Sequence, residues 1–318
     1  MSIESFERRA LLVKAEVTEG TDSVPTAGTN AIQVLNGTSG ITSEKIERNL
    51  DRAWFGADPF INTRYSGFIE GDFELAPASG AGNIANPLAA VLLIGGMAET
   101  LAAGPPAQAR YNVISTALPS ASCYFYHSGT LKKLLASRAN ISGINFTIGR
   151  YPMLKARIQG LLDANDVTEV AVPAGTYTAF QAPEPITHVS SSLSINSVLV
   201  EGISMNVDFN NELGMVEHTE GLYSRIKDRK PTGTMKFHKP LKATLDPWAL
   251  WRAGTVVTCF FRTVNSGATR KSEIRVLAQL EEPREVNEDG NYVIEQPFRC
   301  IPGASGNDEL ILEFGEIT

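Results

Sequence analysis

The sequence predicts a mainly β fold, a β-sandwich or barrel flanked by short helices, and three observations carry that expectation. Runs rich in β-branched and aromatic residues are punctuated by turns, with 27 glycines and 17 prolines falling largely between them. Several runs alternate as half-buried strands do: in Met205-Asn206-Val207-Asp208-Phe209 the three apolar residues share one face. Helix signals are few, so strands must build the core. At 318 residues, with 43% hydrophobic and 20% charged, the chain has apolar material for a sizeable core in one large or two smaller domains.

Strands are expected at 10–17, 31–35, 66–75, 122–127, 141–148, 194–200, 205–209, 232–238, 255–264, 273–278, 292–300 and 309–314. Two short helices are expected. Asn86-Pro87 precedes an apolar run ending at Gly95, and Asp246-Pro247 precedes Trp248 to Arg252 and Gly254. Each has a capping residue, a proline in the first turn and a terminating glycine.

Those two helices are the strongest sign of internal repetition. Pro87 and Pro247 lie 160 residues apart, close to half the chain. A strand with glycine and phenylalanine precedes each, ending at Phe73 and Phe237. An aromatic strand containing Cys123 or Cys259 follows each, closing at Ser128-Gly129 or Ser266-Gly267. The cysteine offset is shorter than the proline offset, so the first copy carries an insertion near Pro105-Pro106. The reading is an N-terminal segment, 1–27, and two diverged β-rich units, 28–180 and 181–318; chance likeness among short β motifs is the alternative.

Each unit holds a long polar stretch between strands, 42–65 and 210–230. Connections of more than about 12–15 residues without regular structure are uncommon in compact domains and are often functional. Both stretches carry charges of both signs and aromatics, which suits docking on a partner, with a mobile hairpin tip as the plainer reading. Arg48, Arg52, Trp54, Phe55, Tyr223, Arg225 and Arg229 are the anchor candidates, because interfaces favour aromatics and arginine.

Enzyme signatures are missing. The four histidines, His127, His188, His218 and His238, show no zinc-ligand spacing. Glu217-His218-x-Glu220 sits in a polar stretch, where a solvated or interface charge group is the expected reading. No phosphate-binding loop or Gly-x-Ser-x-Gly elbow occurs, and the glycines at 80 and 82 lack a βαβ setting. Asn287 to Asn291 reads as a hairpin turn with Asp-Gly chemistry rather than a calcium loop. Cys123, Cys259 and Cys300 are sparse and odd in number, as expected of reduced, buried thiols. The net charge of −7 argues against a nucleic-acid wrapping protein. The start, Met1-Ser2-Ile3-Glu4, shows no signal peptide, and the apolar run at 87–97 is too short to span a bilayer. A protein made or assembled in a cytoplasm, without catalysis, cofactor, metal or membrane partner, is expected.

The run from Ala10 to Val34 contains Glu16, Gly20-Thr21-Asp22, Pro25 and Asn30-Ala31. It resembles the opening of major tail tube proteins of long-tailed, siphovirus-like bacteriophages. The likeness continues in Glu70-Gly71-Asp72-Phe73-Glu74, in the apolar helix after Pro87, and in the closing Gly306-Asn307-Asp308-Glu309-Leu310. The resemblance implies a β-sandwich that joins its sheets around a ring, with rings stacked into a hollow tube for DNA ejection. It implies a virion protein with long loops docking on the adjacent ring, a tape measure protein and DNA in the lumen, and tail terminator and distal tail proteins at the ends. Two units per chain would favour a trimer with pseudo-six-fold symmetry over a hexamer. An acidic lumen would let DNA slide; Glu70, Asp72 and Glu74 are the candidate row, with Glu201, Asp208 and Glu212 a poorer one. The rival readings are another virion component (tail terminator, baseplate hub or head decoration protein) and a carbohydrate-binding or sugar-cleaving β-sandwich.

Overall fold

The computed structural model describes residues 8–76, 86–103, 106–162, 167–219, 221–265, 267 and 269–317, and it is mainly β. The first half supplies β1 (Arg9–Ala15), β2 (Ala31–Ile32), β3 (Leu35–Glu47), β4 (Phe60–Glu74), helix α1 (Ala89–Ile94), β5 (Met97–Ala102) and β6 (Gln108–Val113). It continues with β7 (Ala121–His127), β8 (Thr130–Thr147), β9 (Met153–Leu161) and β10 (Val167–Glu169). The second half supplies β11 (Ser191–Ile195), β12 (Val198–Val200), β13 (Gly202–Asp208), β14 (Asn211–His218), β15 (Gly221–Arg229) and β16 (Thr232–His238). Helix α2 (Pro247–Ala253), β17 (Val256–Val264), β18 (Arg270–Leu280), β19 (Arg284–Glu288), β20 (Asn291–Cys300) and β21 (Leu310–Glu316) complete it.

Local chemistry accounts for the tightest connections. Ser128-Gly129, Asn196-Ser197 and Asp289-Gly290 all have positive φ at both residues, the twist that two-residue hairpins need. Helix α2 follows the expected grammar: Asp246 accepts a hydrogen bond from the Ala249 amide, Pro247 opens the helix, and Gly254 closes it in the left-handed region. In α1 the capping position falls on Leu88 rather than Asn86. The Asn86 side chain instead accepts from the Leu88 amide, 2.9 Å away, so it acts two residues before the helix cap. The glycines at 80 and 82, Pro105 and Ser266 lie outside the described residues.

The order of strand pairing occurs twice. In the first half β1 pairs with β7, β7 with β8, β8 with β9, β9 with β4, and β4 with β3. In the second half β11 pairs with β17, β17 with β18, β18 and its continuation β19 with β20, β20 with β16, and β16 with β13. All of these ladders are antiparallel. Even an irregularity is shared: β8 slips between Ile141 and Gly143, and the second half breaks between β18 and β19 at Pro283.

The halves are nonetheless interlocked. Hairpin β5–β6, the insertion expected after the first helix, pairs through β6 with β21 at the end of the chain. One core cluster includes Phe73, Phe146 and Tyr111 together with Phe237, Phe261 and Phe314. Phe146 and Phe261 stack across the two halves with centroids 5.3 Å apart. From residue 8 onward the N-terminal stretch is built into the first half: β1 is held by β7 over seven residue pairs and buries Leu11 and Val13.

The two polar stretches are hairpin arms rather than irregular loops. The outer parts of β3 and β4 pair from Glu44–Thr63 to Glu47–Phe60, and β14–β15 form a sheet of their own. Ile46 lies opposite Ile61 on the first arm and Leu213 opposite Ile226 on the second, but charged and polar residues interrupt both, so the alternation that marks a half-buried strand is weak.

Candidate assembly surfaces

The seven ladders β3–β4–β9–β8–β13–β16–β20–β19 make one continuous eight-stranded antiparallel layer. It consists of four strands from the first half followed by their four counterparts from the second. The halves meet where the end of β8 pairs with β13, with Ile144 opposite Val207 and Asn145 opposite Asn206. Just beyond, the Phe209 amide donates to the Ile141 carbonyl, and Phe209 is 0% exposed.

The layer ends in two edges. Among the described residues β3 pairs only with β4, and β19 only with β20. β3 is the counterpart of β13, and β19 is the counterpart of the end of β8. Each edge therefore matches one side of the joint made inside the chain, and unpaired edges are templates for further strand addition.

One face of the layer packs on the core through Ile69, Phe73, Leu154, Ile158, Met235 and Phe237. Glu70, Asp72 and Glu74 alternate with these on β4 and project from the opposite face, half-buried. They do not form an isolated acidic row. Directly opposite Glu70 and Asp72 on β9 stand Arg157 and Lys155. Arg157 forms an ion pair with Glu70 and lies over the Phe68 ring. The second half repeats the pattern, with Lys236 3.5 Å and Arg284 3.7 Å from Glu295. Antiparallel neighbours with opposite charges attract across the ladder, so this face is of mixed sign rather than uniformly negative. Glu201, Asp208 and Glu212 do not line up: Glu201 precedes β13, Asp208 ends it and accepts from the Asn210 amide, and Glu212 sits on the second arm.

The two arms differ sharply. The first projects into solvent, with Ile46, Trp54, Phe55, Phe60 and Ile61 all exposed. At its tip Asp58 bonds the Leu50 amide (3.0 Å) and pairs with Arg52 (3.1 Å), which holds the turn closed beneath Trp54 and Phe55. Arg48 is exposed in the same turn. The second arm lies back on the first half of its own chain. Its Asn211 amide group donates to the carbonyls of Gly95 and Ala139 at 2.8 and 3.0 Å, and its backbone amide donates to Asn140. Arg229 donates to the Ile114 carbonyl and pairs with Glu309 at 2.7 Å, both side chains being nearly buried. At the far end Glu217 meets Arg64 at the base of the first arm, 2.5 Å away. Arg229 is thus occupied inside the chain rather than free to anchor a partner. Tyr223 is half-buried beneath the exposed Arg225 guanidinium, 5.6 Å from its ring centroid.

The N-terminal motif residues hold structure together. Glu16 accepts from the Gly20 and Ala136 amides and from the Ser120 and Ser122 hydroxyls, at 2.7–3.0 Å. Asp22 accepts from the Tyr124 hydroxyl and the Val24 amide and pairs with Lys133. Burial works to raise the Asp22 carboxyl, but these partners outweigh it and hold it below the usual aspartate range. Together the two carboxylates tie the loop after β1 onto β7 and β8.

Among the described residues no group of three or more His, Cys, Asp or Glu could hold a metal ion. Glu217 and His218 are taken up by Arg64 and the Tyr223 ring, while Glu220 lies outside the described residues. The three thiols are buried and unpaired, and desolvation pushes each up to about 12. Among the described residues no helix is long and apolar enough to cross a membrane. No family model matches the chain, and no curated protein matches it either.

Proposed function

We propose that this chain is a structural subunit that adds to copies of itself head to tail, closing a hollow ring, and that the rings stack into a phage tail tube. The observation that carries this reading is the eight-stranded layer made of two like halves, with a finished joint in the middle and the two sides of that joint left open at its ends.

The register of the intermolecular joint follows by transfer. In the first half Phe73 lies opposite Leu154, and Leu154 opposite Ile144. In the second half Phe237 lies opposite Ile294, and Ile294 opposite Glu285. Glu285 is therefore the counterpart of Ile144. On the other side of the joint Val207 lies opposite Gly233, four residues before Phe237. Four residues before Phe73 is Ile69, which lies opposite Ser39. Ser39 of one copy then faces Glu285 of the next, as Val207 faces Ile144 within the chain. Two positions on, Ile41 takes the place of Phe209; it is 42% exposed in the single chain and would be covered in the joint.

Such contacts are heterologous, so they close into rings when the rotation permits. Three copies would contribute about 24 strands at ~4.8 Å spacing, a cylinder roughly 37 Å across between backbones and wider with strand tilt. That span would admit a nucleic-acid duplex. Such a tube is a virion part, assembled in the host cytoplasm. Its lumen would hold tape measure protein and DNA, with terminator and distal tail proteins at its ends. Its lining would be the mixed-sign face of the layer, whose paired charges give duplex phosphates little net attraction. Negative-stain microscopy of concentrated protein tests the proposal: uniform hollow tubes are expected, whereas free monomers or single rings at every concentration would refute the tube.

A further inference from the structure

A depression of about 1050 Å³ lies at one end of the second half's strands, beside the base of the second arm. Its lining includes Lys230 and Thr232 of β16 and its approach, Arg299 and Ile301 at the end of β20, and Glu281. The same register transfer identifies the place. Seven residues before Phe237 and Phe73 are Lys230 and Ser66. Five after Ile294 and Leu154 are Arg299 and Gln159. Glu281 and Asn140 each follow the residue opposite Phe298 or Ile158. Ser66, Gln159 and Asn140 belong to the rim of the first half over which the second arm is laid. There Ser224 donates to the Gln159 carbonyl, the Asn211 amide donates to Asn140, and the arm ends at Arg64. The depression is therefore the counterpart of a seat that is filled in the first half and open in the second.

We infer that the first arm of a neighbouring copy occupies this groove, as a lateral strap within one ring rather than a hook onto the next ring. The inference rests on the head-to-tail reading above, because the copy whose β3 meets β19 is the one whose arm starts beside the groove. Inside the chain, β13 and the second arm come from the same half and land together on the half before them. Transferring that pair of contacts places β3 and the first arm of one copy together on the second half of another. The occupant is also suited to the place. The first arm carries Ile46, Trp54, Phe60 and Ile61 in solvent, more apolar surface than an isolated hairpin gains from exposing. The groove offers Ile226 and Ile301 beside the Arg299–Glu281 and Lys230–Asp228 ion pairs, and the arm brings Ile46, Phe60 and Ile61 with Glu47 and Arg48 at their side.

Photo-crosslinking tests the strap. A benzoylphenylalanine replaces Ile61 or, separately, Trp54, both exposed and so compatible with folding. Isotope-labelled and unlabelled protein are mixed, illuminated during early assembly, and species no larger than one ring are isolated by sedimentation and mapped by mass spectrometry. Crosslinks between labelled and unlabelled copies that fall within 226–234 or 297–302 are expected. Ring-sized assemblies whose crosslinks fall elsewhere, or appear only once tubes have formed, overturn the strap and leave the head-to-tail ring standing. Protein that sediments only as monomer overturns both. As a second measurement, Ile61→Asp should raise the concentration for half-assembly about tenfold or more, and an unchanged value would count against the strap.

Discussion

Cysteines at Ser39 and Glu285 would report directly on the joint between copies. Within one chain these positions stand on β3 and β19, at opposite ends of the eight-stranded layer. Seven inter-strand steps at ~4.8 Å place them roughly 34 Å apart. A disulfide needs its Cα atoms within about 4.4–6.8 Å, so no bond can form inside the chain without unfolding it. In the transferred register the two positions are directly opposite across neighbouring copies, at the distance antiparallel partners keep, about 4.5–5.5 Å. The native cysteines should stay silent, since all three are buried with thiols raised to about 12. Mild oxidation of Ser39→Cys/Glu285→Cys followed by non-reducing electrophoresis should give a covalent ladder that stops at the number of copies in a ring. The pair Ser39→Cys/Glu288→Cys, three residues out of register, should give little. An absent ladder at concentrations where wild type assembles would refute the register, as would equal ladders from both pairs.

Other perturbations follow from the same contacts. Arg229→Ala should cost about 3–5 kcal/mol in chemical denaturation, because it leaves Glu309 buried without its partner; a loss under 1 kcal/mol would show the second arm to be loosely held. Glu16→Ala should destabilise by several kcal/mol, since two buried or part-buried amides and two hydroxyls lose their acceptor at once. Burial tends to raise the Glu273 carboxyl, but bonds from Arg262 and Arg275 more than offset that and hold it below the usual glutamate range. Its contribution to stability is therefore full above about pH 4.3 and is lost as pH falls through the lowered value. Glu273→Gln should flatten the acid limb of the stability curve, and an unchanged limb would exclude this group as its source. Deleting 51–62 should leave a folded protein that assembles poorly, judged by circular dichroism and sedimentation; normal assembly would remove the first arm from the contact.

Much of the fold was legible because it rests on local grammar. The strand at 232–238 and the helix opened by Asp246-Pro247 and closed by Gly254 fall at or near their expected bounds. The Asp289-Gly290 hairpin forms as its turn chemistry demands. The outer halves of β3 and β4 were not legible, because an arm that stands off the core needs no apolar stripe, and β14 and β15 were not, because they are laid on the first half partly through polar groups such as Asn211 and Ser224. β9 was also missed, although Leu154, Ala156 and Ile158 alternate, since Lys155 and Arg157 between them reduce the mean apolarity of the run. Among the site residues, Trp54 and Phe55 are exposed as an anchor requires, whereas Arg229 is consumed by a contact that lies 80 residues away at Glu309. Sequence spacing carries no sign of that pairing. Nor could it reveal that Arg157 and Lys155 would stand across from Glu70 and Asp72, because charge on a sheet face is set by the neighbouring strand.

An open sheet edge is normally a hazard, and both edges here carry the features that limit promiscuous pairing. On β3 the ladder slips between Leu35 and Thr38, and Lys132 donates to the carbonyl and hydroxyl of Ser39 at 3.3 and 3.0 Å. On the other side β19 is five residues long, follows Pro283 and carries Arg284, Glu285 and Glu288. A generic strand meeting either edge would have to displace a lysine or desolvate charges while matching a bulge. In the proposed register Glu285 of a neighbouring copy would stand opposite Ser39, beside that lysine, so the matching partner would bring a carboxylate to the cation that another strand would leave unpaired. Burial already lowers the Lys132 ammonium from its ordinary value, which makes a new anionic neighbour more favourable there than at an exposed site. The features that keep single copies apart would then select one partner and one register, and self-assembly would need no sequence beyond what each half uses to bind the other.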